Sequence, residues 1–220
     1  MQKKYDAVII GCGVIGCCVA FELAKRGYKT LSVDKLGEAG MGSTSGSCAI
    51  IRFHYSTTEG VALAREGYYY WLDWPTYLGV RDPEGMVTYR NTGALVIKTP
   101  VNKNLSRVKA ALEEFGVGYL ELEPEEIRRY LPNANLASYF PQKWIDDPEF
   151  GKPTAEKIPG ALWIPESGYI SDPKLSSHNV QVAAEAKQAE FLYRAEVSEI
   201  LKKNGRTAGI RLADGSEIEA

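Results

Sequence analysis

Tyr5–Asp34 reads YDAVIIGCGVIGCCVAFELAKRGYKTLSVD, and the changes of period along it decide the fold class. Tyr5–Ile10 is a short apolar run with β-branched residues, closed by Gly11, which is the pattern of a buried strand. From Val14 to Arg26 the period becomes helical, with Val14, Ala20, Leu23 and Ala24 suited to one buried side and Gly27 as the stop. Lys29–Asp34 is a second strand. A strand–helix–strand unit this compact implies a right-handed crossover and a parallel sheet.

Gly11, Gly13 and Gly16 fall between the first strand and the helix as G-C-G-V-I-G. The first glycine permits a tight turn, the second lets the backbone approach a pyrophosphate, and the third lets helix and strand pack closely. An anion there would meet unpaired N–H groups and the positive end of the helix dipole. Asp34 ends the second strand, where a carboxylate can accept both hydroxyls of an adenosine ribose. These residues predict an ADP-containing cofactor. The motif does not itself choose between FAD and NAD, so a nicotinamide-dependent dehydrogenase stands as the alternative.

The rest of the composition narrows the function classes. The chain has 220 residues, 45% of them hydrophobic and 25% charged, with a net charge of −2. Its lysines and arginines are dispersed, so neither a nucleic-acid footprint nor a polybasic membrane patch is expected. Cys12, Cys17, Cys18 and Cys48 make no CxxC pair, and the only histidines are His54 and His178, so no metal site or disulfide framework is expected. Free thiols place the protein in the cytoplasm. Lys3 and Lys4 before the apolar run Ala7–Phe21 imitate a signal peptide, but Asp6 and the lack of an A-x-A-like cleavage site argue against one. That run is also too short to span a membrane.

Further along, Thr58–Leu78 reads as one long helix crowded with aromatics, from Tyr68 to Trp74, that suit packing better than a stacking surface. Gly93–Thr99 reads as a strand, Asn104–Phe115 as an amphipathic helix, Tyr119–Leu122 as a brief strand and Pro124–Leu131 as a helix opened by proline. Asn133–Pro165 has five of the eleven prolines and no period, and is expected to be irregular. Asp172-Pro173 predicts a capped helix running to about Gln188, with His178 as a structural residue within it. Three strands, Glu190–Arg194, Val197–Leu201 and Ala208–Leu212, follow, and Asp214-Gly215 signals a hairpin after the last. The domain organisation expected is residues 1–85 as the cofactor-binding βαβ and following helix, 86–170 as an inserted region, and 171–220 as the return to the first domain.

After Asp34 come Gly42-Ser43-Thr44-Ser45-Gly46-Ser47, then Ile50-Ile51-Arg52 with Tyr55. With the βαβ glycines, these make residues 6–55 resemble the D-amino-acid oxidase superfamily of flavoenzymes, most of all its sarcosine oxidase and dimethylglycine dehydrogenase branch. Weaker echoes continue at Gly93-Ala94-Leu95, Glu123–Pro132, Gly168-Tyr169 and Ala213-Asp214-Gly215. The resemblance implies FAD as cofactor and an α/β fold: a Rossmann-like FAD-binding domain, incomplete in this chain, with part of an inserted mixed α+β substrate-side region. It implies oxidation of the C–N bond of a small amino or N-methylamino acid by hydride transfer to FAD. The 42–47 loop would pass the flavin ribityl and pyrophosphate, and small hydroxylated residues suit that approach. Candidate cofactor-binding residues are therefore Gly11, Gly13, Val14, Ile15, Gly16, Asp34, Lys35, Ser43, Thr44, Ser45 and Ser47. Arg52 would pair with the substrate carboxylate through its two-point fork, with Tyr55 lining the same pocket. Without the resemblance, Arg52 reads equally as a surface ion-pair residue and Tyr55 as packing.

Two departures stand out. Relatives that tether flavin through a histidine in the 43–48 loop have no counterpart here, and Ala49 replaces a charged residue present in others. Relatives also continue past a run like Arg211–Ala220, so a further segment or a second chain is expected to complete the flavin site. The 220 residues alone are then expected to bind FAD weakly and turn nothing over. A catalytically silent module assisting assembly of a larger complex is the remaining alternative.

Overall fold

The computed structural model describes residues 4–102 and 105–220. Lys3, and Asn104 at the start of the expected helix, lie outside the described residues. In chain order the elements are β1 (Ala7–Ile10), α1 (Val14–Lys25), β2 (Thr30–Val33), β3 (Ile50–Ile51), α2 (Thr58–Leu72), α3 (Trp74–Leu78) and β4 (Tyr89–Asn91). There follow β5 (Ala94–Ile97), α4 (Ser106–Glu114), β6 (Leu120–Leu122), a 3-10 helix (Pro124–Arg129), β7 (Ala161–Ile164) and β8 (Gly168–Ile170). The chain ends with α5 (Pro173–Glu185), β9 (Glu190–Leu192), β10 (Val197–Lys203), β11 (Arg206–Leu212) and β12 (Glu217–Glu219). It divides into two compact units, one of Met1–Ala49, Tyr70–Tyr89 and Ile170–Ala220, the other of Ile50–Tyr69 and Arg90–Tyr169.

The first unit contains a parallel sheet in the order β1-β2-β9. Every residue of the central strand β2 is buried, as a strand in a covered parallel sheet should be. Helix α1 packs on α5. Its buried residues are Cys17, Ala20, Phe21 and Ala24, spaced i, i+3, i+4 and i+7, a better apolar stripe than the expected one through Val14 and Leu23. An antiparallel meander β10-β11-β12 joins Tyr5, Leu31 and Val33 of the parallel sheet's side through Ile210 and Leu212 in one apolar cluster. The expected Asp214-Gly215 turn joins β11 to β12, with the Leu212 N–H donating to the Ser216 carbonyl over 2.9 Å. A second hairpin, unexpected from the sequence, turns at Asn204-Gly205 with φ of 53° and 76°. Two successive positive φ values are what a type I′ turn needs, and Asn-Gly supplies them.

The first unit also buries a polar network. Asp172 caps α5 as expected, accepting from the Leu175 N–H at 2.9 Å. Asn179 on α5 is fully buried; its amide donates to Asp82 and to the Gly85 carbonyl, both at 2.8 Å. Its Oδ1 accepts from Trp74 Nε1 at 3.2 Å and from the Val87 N–H at 3.0 Å. His178 Nδ1 lies 2.6 Å from Asp82 Oδ2, which gives this histidine the structural place expected of it. Burial opposes the Asp82 charge, but the Glu84 N–H, the Asn179 amide and His178 outweigh it and hold the carboxyl below the usual carboxylate range. A depressed folded pKa stabilises the fold above the unfolded value of about 4 and loses that effect as pH falls through the folded value. Urea unfolding should therefore find Asp82→Asn less stable than wild type at neutral pH, with the gap closing in acid. A gap independent of pH would contradict this assignment.

In the second unit, β5, β7 and β6 form an antiparallel sheet over Leu122, Ile127, Leu136 and Ala161. Strand β7 lies within the stretch expected to be irregular. Its ALWI sequence has no alternation because it is the central strand and is almost wholly buried. At Gly160, φ is +121° and a Cβ would stand 2.3 Å from the Leu122 carbonyl oxygen, so the entry to β7 requires glycine. The long aromatic helix expected over 58–78 is two helices. Proline in a helix interior removes a hydrogen bond and clashes with the preceding turn, so the chain restarts at Trp74 with Pro75 in the new first turn.

Candidate functional site

In the first unit the chain leaves β1 through Gly11, whose φ of +101° favours glycine. The Gly11 N–H donates to the Val33 carbonyl at 2.7 Å, so the turn rests on the end of β2. A Cβ on Gly16 would come 1.8 Å from the Gly11 carbonyl oxygen, a collision with backbone that only glycine avoids. Gly13 caps α1 with no side-chain hydrogen bond, and the first turn contains no acidic residue. Among the described residues nothing accepts the N–H of Ile15 or Gly16. This is the cradle that an anionic phosphate fits.

Thr44 reaches this cradle from the small-residue loop. Its Oγ1 accepts from the Val14 N–H at 3.1 Å, and a Cβ on Gly13 would stand 3.0 Å from the same oxygen. The hydroxyl hydrogen remains able to donate outward. Ser45 and Ser47 are used within the loop: Ser45 Oγ donates to the Gly42 carbonyl at 3.0 Å, and Ser47 Oγ accepts from the Ala49 N–H at 3.3 Å. Ser43 is exposed. The structure therefore brings Thr44 to the glycine turn and keeps Ser45 and Ser47 as loop braces.

Asp34 accepts from the Cys12 N–H at 2.7 Å on one oxygen and from the Leu36 N–H at 2.8 Å on the other. A carboxylate has about four acceptor positions, so a ribose diol can still be bound. Beside it is a cavity of about 370 Å³ lined by Ile10, Gly11, Val33, Asp34, Lys35, Ala195, Glu196 and Val197. Lys35 is at its exposed rim. Residues 195–197 were missed from sequence. A signal was available, since ligands of parallel α/β sheets bind outside the carboxyl ends of the strands and β9 ends beside β2. Burial and the Asp34 charge push the Cys12 thiol up to about 12, so it remains a protonated packing group. Glycine turn, uncapped helix and ribose carboxylate together fit an ADP-containing cofactor.

The second unit holds the other candidates. Arg52 follows β3 and is exposed, with its guanidinium 4.9 Å from the Tyr55 ring centroid. Among the described residues it has no ion pair, unlike Arg65, which binds Glu166 at 2.7 Å and lies over Phe53, Tyr68 and Tyr69. The aromatic stretch packs in part: Tyr68 is buried here and Trp74 in the first unit, while Tyr69 and Tyr70 are exposed.

A family profile described as "DAO: FAD dependent oxidoreductase" matches residues 6–220. The chain belongs to the DAO family of FAD-dependent oxidoreductases. Peroxisomal sarcosine oxidase of Homo sapiens is 29% identical over 136 residues, which cover 61% of this chain and 33% of that protein. Glycine oxidase of Geobacillus kaustophilus is 27% identical over 201 residues, covering 88% of this chain and 47% of that protein. The L-proline dehydrogenase of P. horikoshii superposes on the whole chain and 51% of its own, with a TM-score of 0.76 and 24% identity, a likeness of fold. This DAO chain thus spans about a third to a half of the length of the curated relatives it matches. FAD is the family's cofactor, which settles the choice the glycine motif left open. No helix among the described residues is long and apolar enough to cross a membrane.

Proposed function

We propose that this chain supplies the ADP-binding half and a carboxylate-binding residue of an oxidoreductase acting on the C–N bond of a small amino or N-methylamino acid. The observation that carries the substrate reading is Arg52, an exposed arginine beside the Tyr55 ring that has no ion pair among the described residues. A guanidinium held near an aromatic ring by cation–π attraction keeps its N–H groups able to donate, and a carboxylate engages such a fork through two parallel bonds. The relatives named above act, by name, on sarcosine and glycine, both small carboxylates with an amine on the adjacent carbon.

In this reading Gly11, Gly13, Val14, Ile15 and Gly16 cradle the pyrophosphate, with Thr44 donating to it and Ser43, Ser45 and Ser47 shaping the loop. Asp34 holds the ribose and Lys35 the cavity rim. Bound FAD supplies the two-electron acceptor for the amine's oxidation. Arg52 orients the substrate by its carboxylate, which places the adjacent carbon at a fixed distance from the anchor. The four thiols, all free, support a cytoplasmic setting.

Arg52→Ala is expected to raise the KM for N-methylglycine or glycine by about a hundredfold, and Arg52→Lys to recover only part of that loss. The measurement is steady-state kinetics of the complete enzyme. An unchanged KM in Arg52→Ala would end the carboxylate assignment.

A further inference from the structure

Two residues beyond Arg52 the chain makes a three-residue turn. The Tyr55 N–H donates to the Phe53 carbonyl over 2.8 Å, with His54 at the centre. Both flanks of this turn are held. Phe53 is fully buried and meets Tyr68 edge-on, with ring centroids 5.3 Å apart. On the other side α2 presses close, since a Cβ on Gly60 would stand 2.9 Å from Tyr55 Cβ. The position of the His54 backbone is thereby set by its neighbours.

His54 is half-buried, and its Nδ1 is buried with no hydrogen-bond partner among the described residues. A proton on Nδ1 would be a buried donor with nothing to accept it, so the neutral ring is expected to carry its hydrogen on Nε2. Burial, then the charge of Arg52, holds this imidazole below its ordinary pKa. The charged residue that α2 contributes to the Phe53–Tyr68 cluster, Arg65, is already paired with Glu166. Arg52 is therefore the charge that acts on the ring, and His54 stays neutral at pH 7. A neutral N–H donor two residues from a guanidinium fork is a donor of the type that can add one uncharged hydrogen bond to a bound carboxylate.

We propose that His54 is the second binding residue of the carboxylate site, its Nε2–H adding one hydrogen bond to a carboxylate that the Arg52 fork engages. This inference rests on the Arg52 reading above. It specifies a monocarboxylate held by one charged and one neutral donor. Affinity should then be flat between about pH 7 and 8, because the histidine binds without taking up a proton.

His54 and His178 are the only histidines, so ring-nitrogen NMR of the ¹⁵N-labelled full chain with FAD added can distinguish them by means of the His54→Gln variant. Propionate is the probe. The expected result is an Nε2–H tautomer at His54 whose Nε2 resonance shifts saturably with propionate, while His178 stays in place. By the same titration His54→Leu should bind about tenfold more weakly, the scale of one hydrogen bond to a charged group. His54→Gln, whose amide N–H can stand near the lost Nε2–H, should stay within about threefold of wild type. Propionate binding that needs Arg52 but leaves the His54 resonances unmoved would overturn the proposal and spare the Arg52 reading. Binding that is absent, or indifferent to Arg52→Ala, would overturn both. If His54→Leu fails to fold, the wild-type spectra and the glutamine variant still decide.

Discussion

Asn179→Ala should lower the unfolding free energy by about 3–5 kcal/mol, the largest single-residue loss expected in the first unit. The side chain satisfies four groups at once: the Asp82 carboxylate, the Gly85 carbonyl, the Val87 N–H and Trp74 Nε1. Truncation removes these partners in a place water does not reach, since Asn179 is fully buried and Trp74 nearly so. Each buried group left unsatisfied costs about 1–3 kcal/mol, and a buried charge deprived of a donor costs more. Urea unfolding followed by tryptophan fluorescence measures the loss. A decrease below about 1 kcal/mol would show that the network relaxes onto other partners.

Gly16→Ala is the second large effect, and it falls on ligand binding. The added methyl would have to move away from the Gly11 carbonyl, 1.8 Å distant, and the motion would pass directly into the phosphate cradle. Two charge-assisted hydrogen bonds lost there amount to about 3–6 kcal/mol, so FAD affinity should fall about a hundredfold or more. Gly67→Ala is the control: no atom lies within 4 Å of its Cβ position, and it sits inside α2. There alanine should leave FAD binding alone and stabilise the helix by about 0.5–1 kcal/mol. Flavin fluorescence titration of the two variants separates a steric effect at the cradle from a general dislike of substitution. Equal FAD affinities would remove Gly16 from the cofactor site.

The βαβ unit was legible because its signals are local. Gly11 needs a positive φ, Gly16 needs the absence of a methyl, and both needs appear as residue types at fixed spacing. The burial stripe of α1 was less legible, because Val14 and Leu23 are as apolar as Phe21 and only the packing partner α5 chooses among them. Strand β7 was missed for a related reason: a central strand loses the alternation by which strands are read. The Asn204-Gly205 hairpin carried a strong turn signal, obscured by the lysines and arginine around it. In the candidate site, Asp34 was legible as a carboxylate ending a strand. Its tie to the Cys12 N–H, and the cavity wall made by residues 195–197, depend on chain that returns much later and leaves no mark near the motif.

That late return has a consequence for synthesis. The glycine turn and Asp34 emerge from the ribosome first, but the cavity wall at Ala195–Val197 emerges roughly 160 residues later, about 8–30 s at ordinary elongation rates. Throughout that interval β2 has no β9 to pair with, and its outer edge is open to the wrong strand. The cavity beside Asp34 is likewise incomplete until the chain reaches Ala195–Val197. Cofactor loading is therefore expected to follow synthesis of Ala195–Val197, with the half-made sheet exposed to mispairing until then.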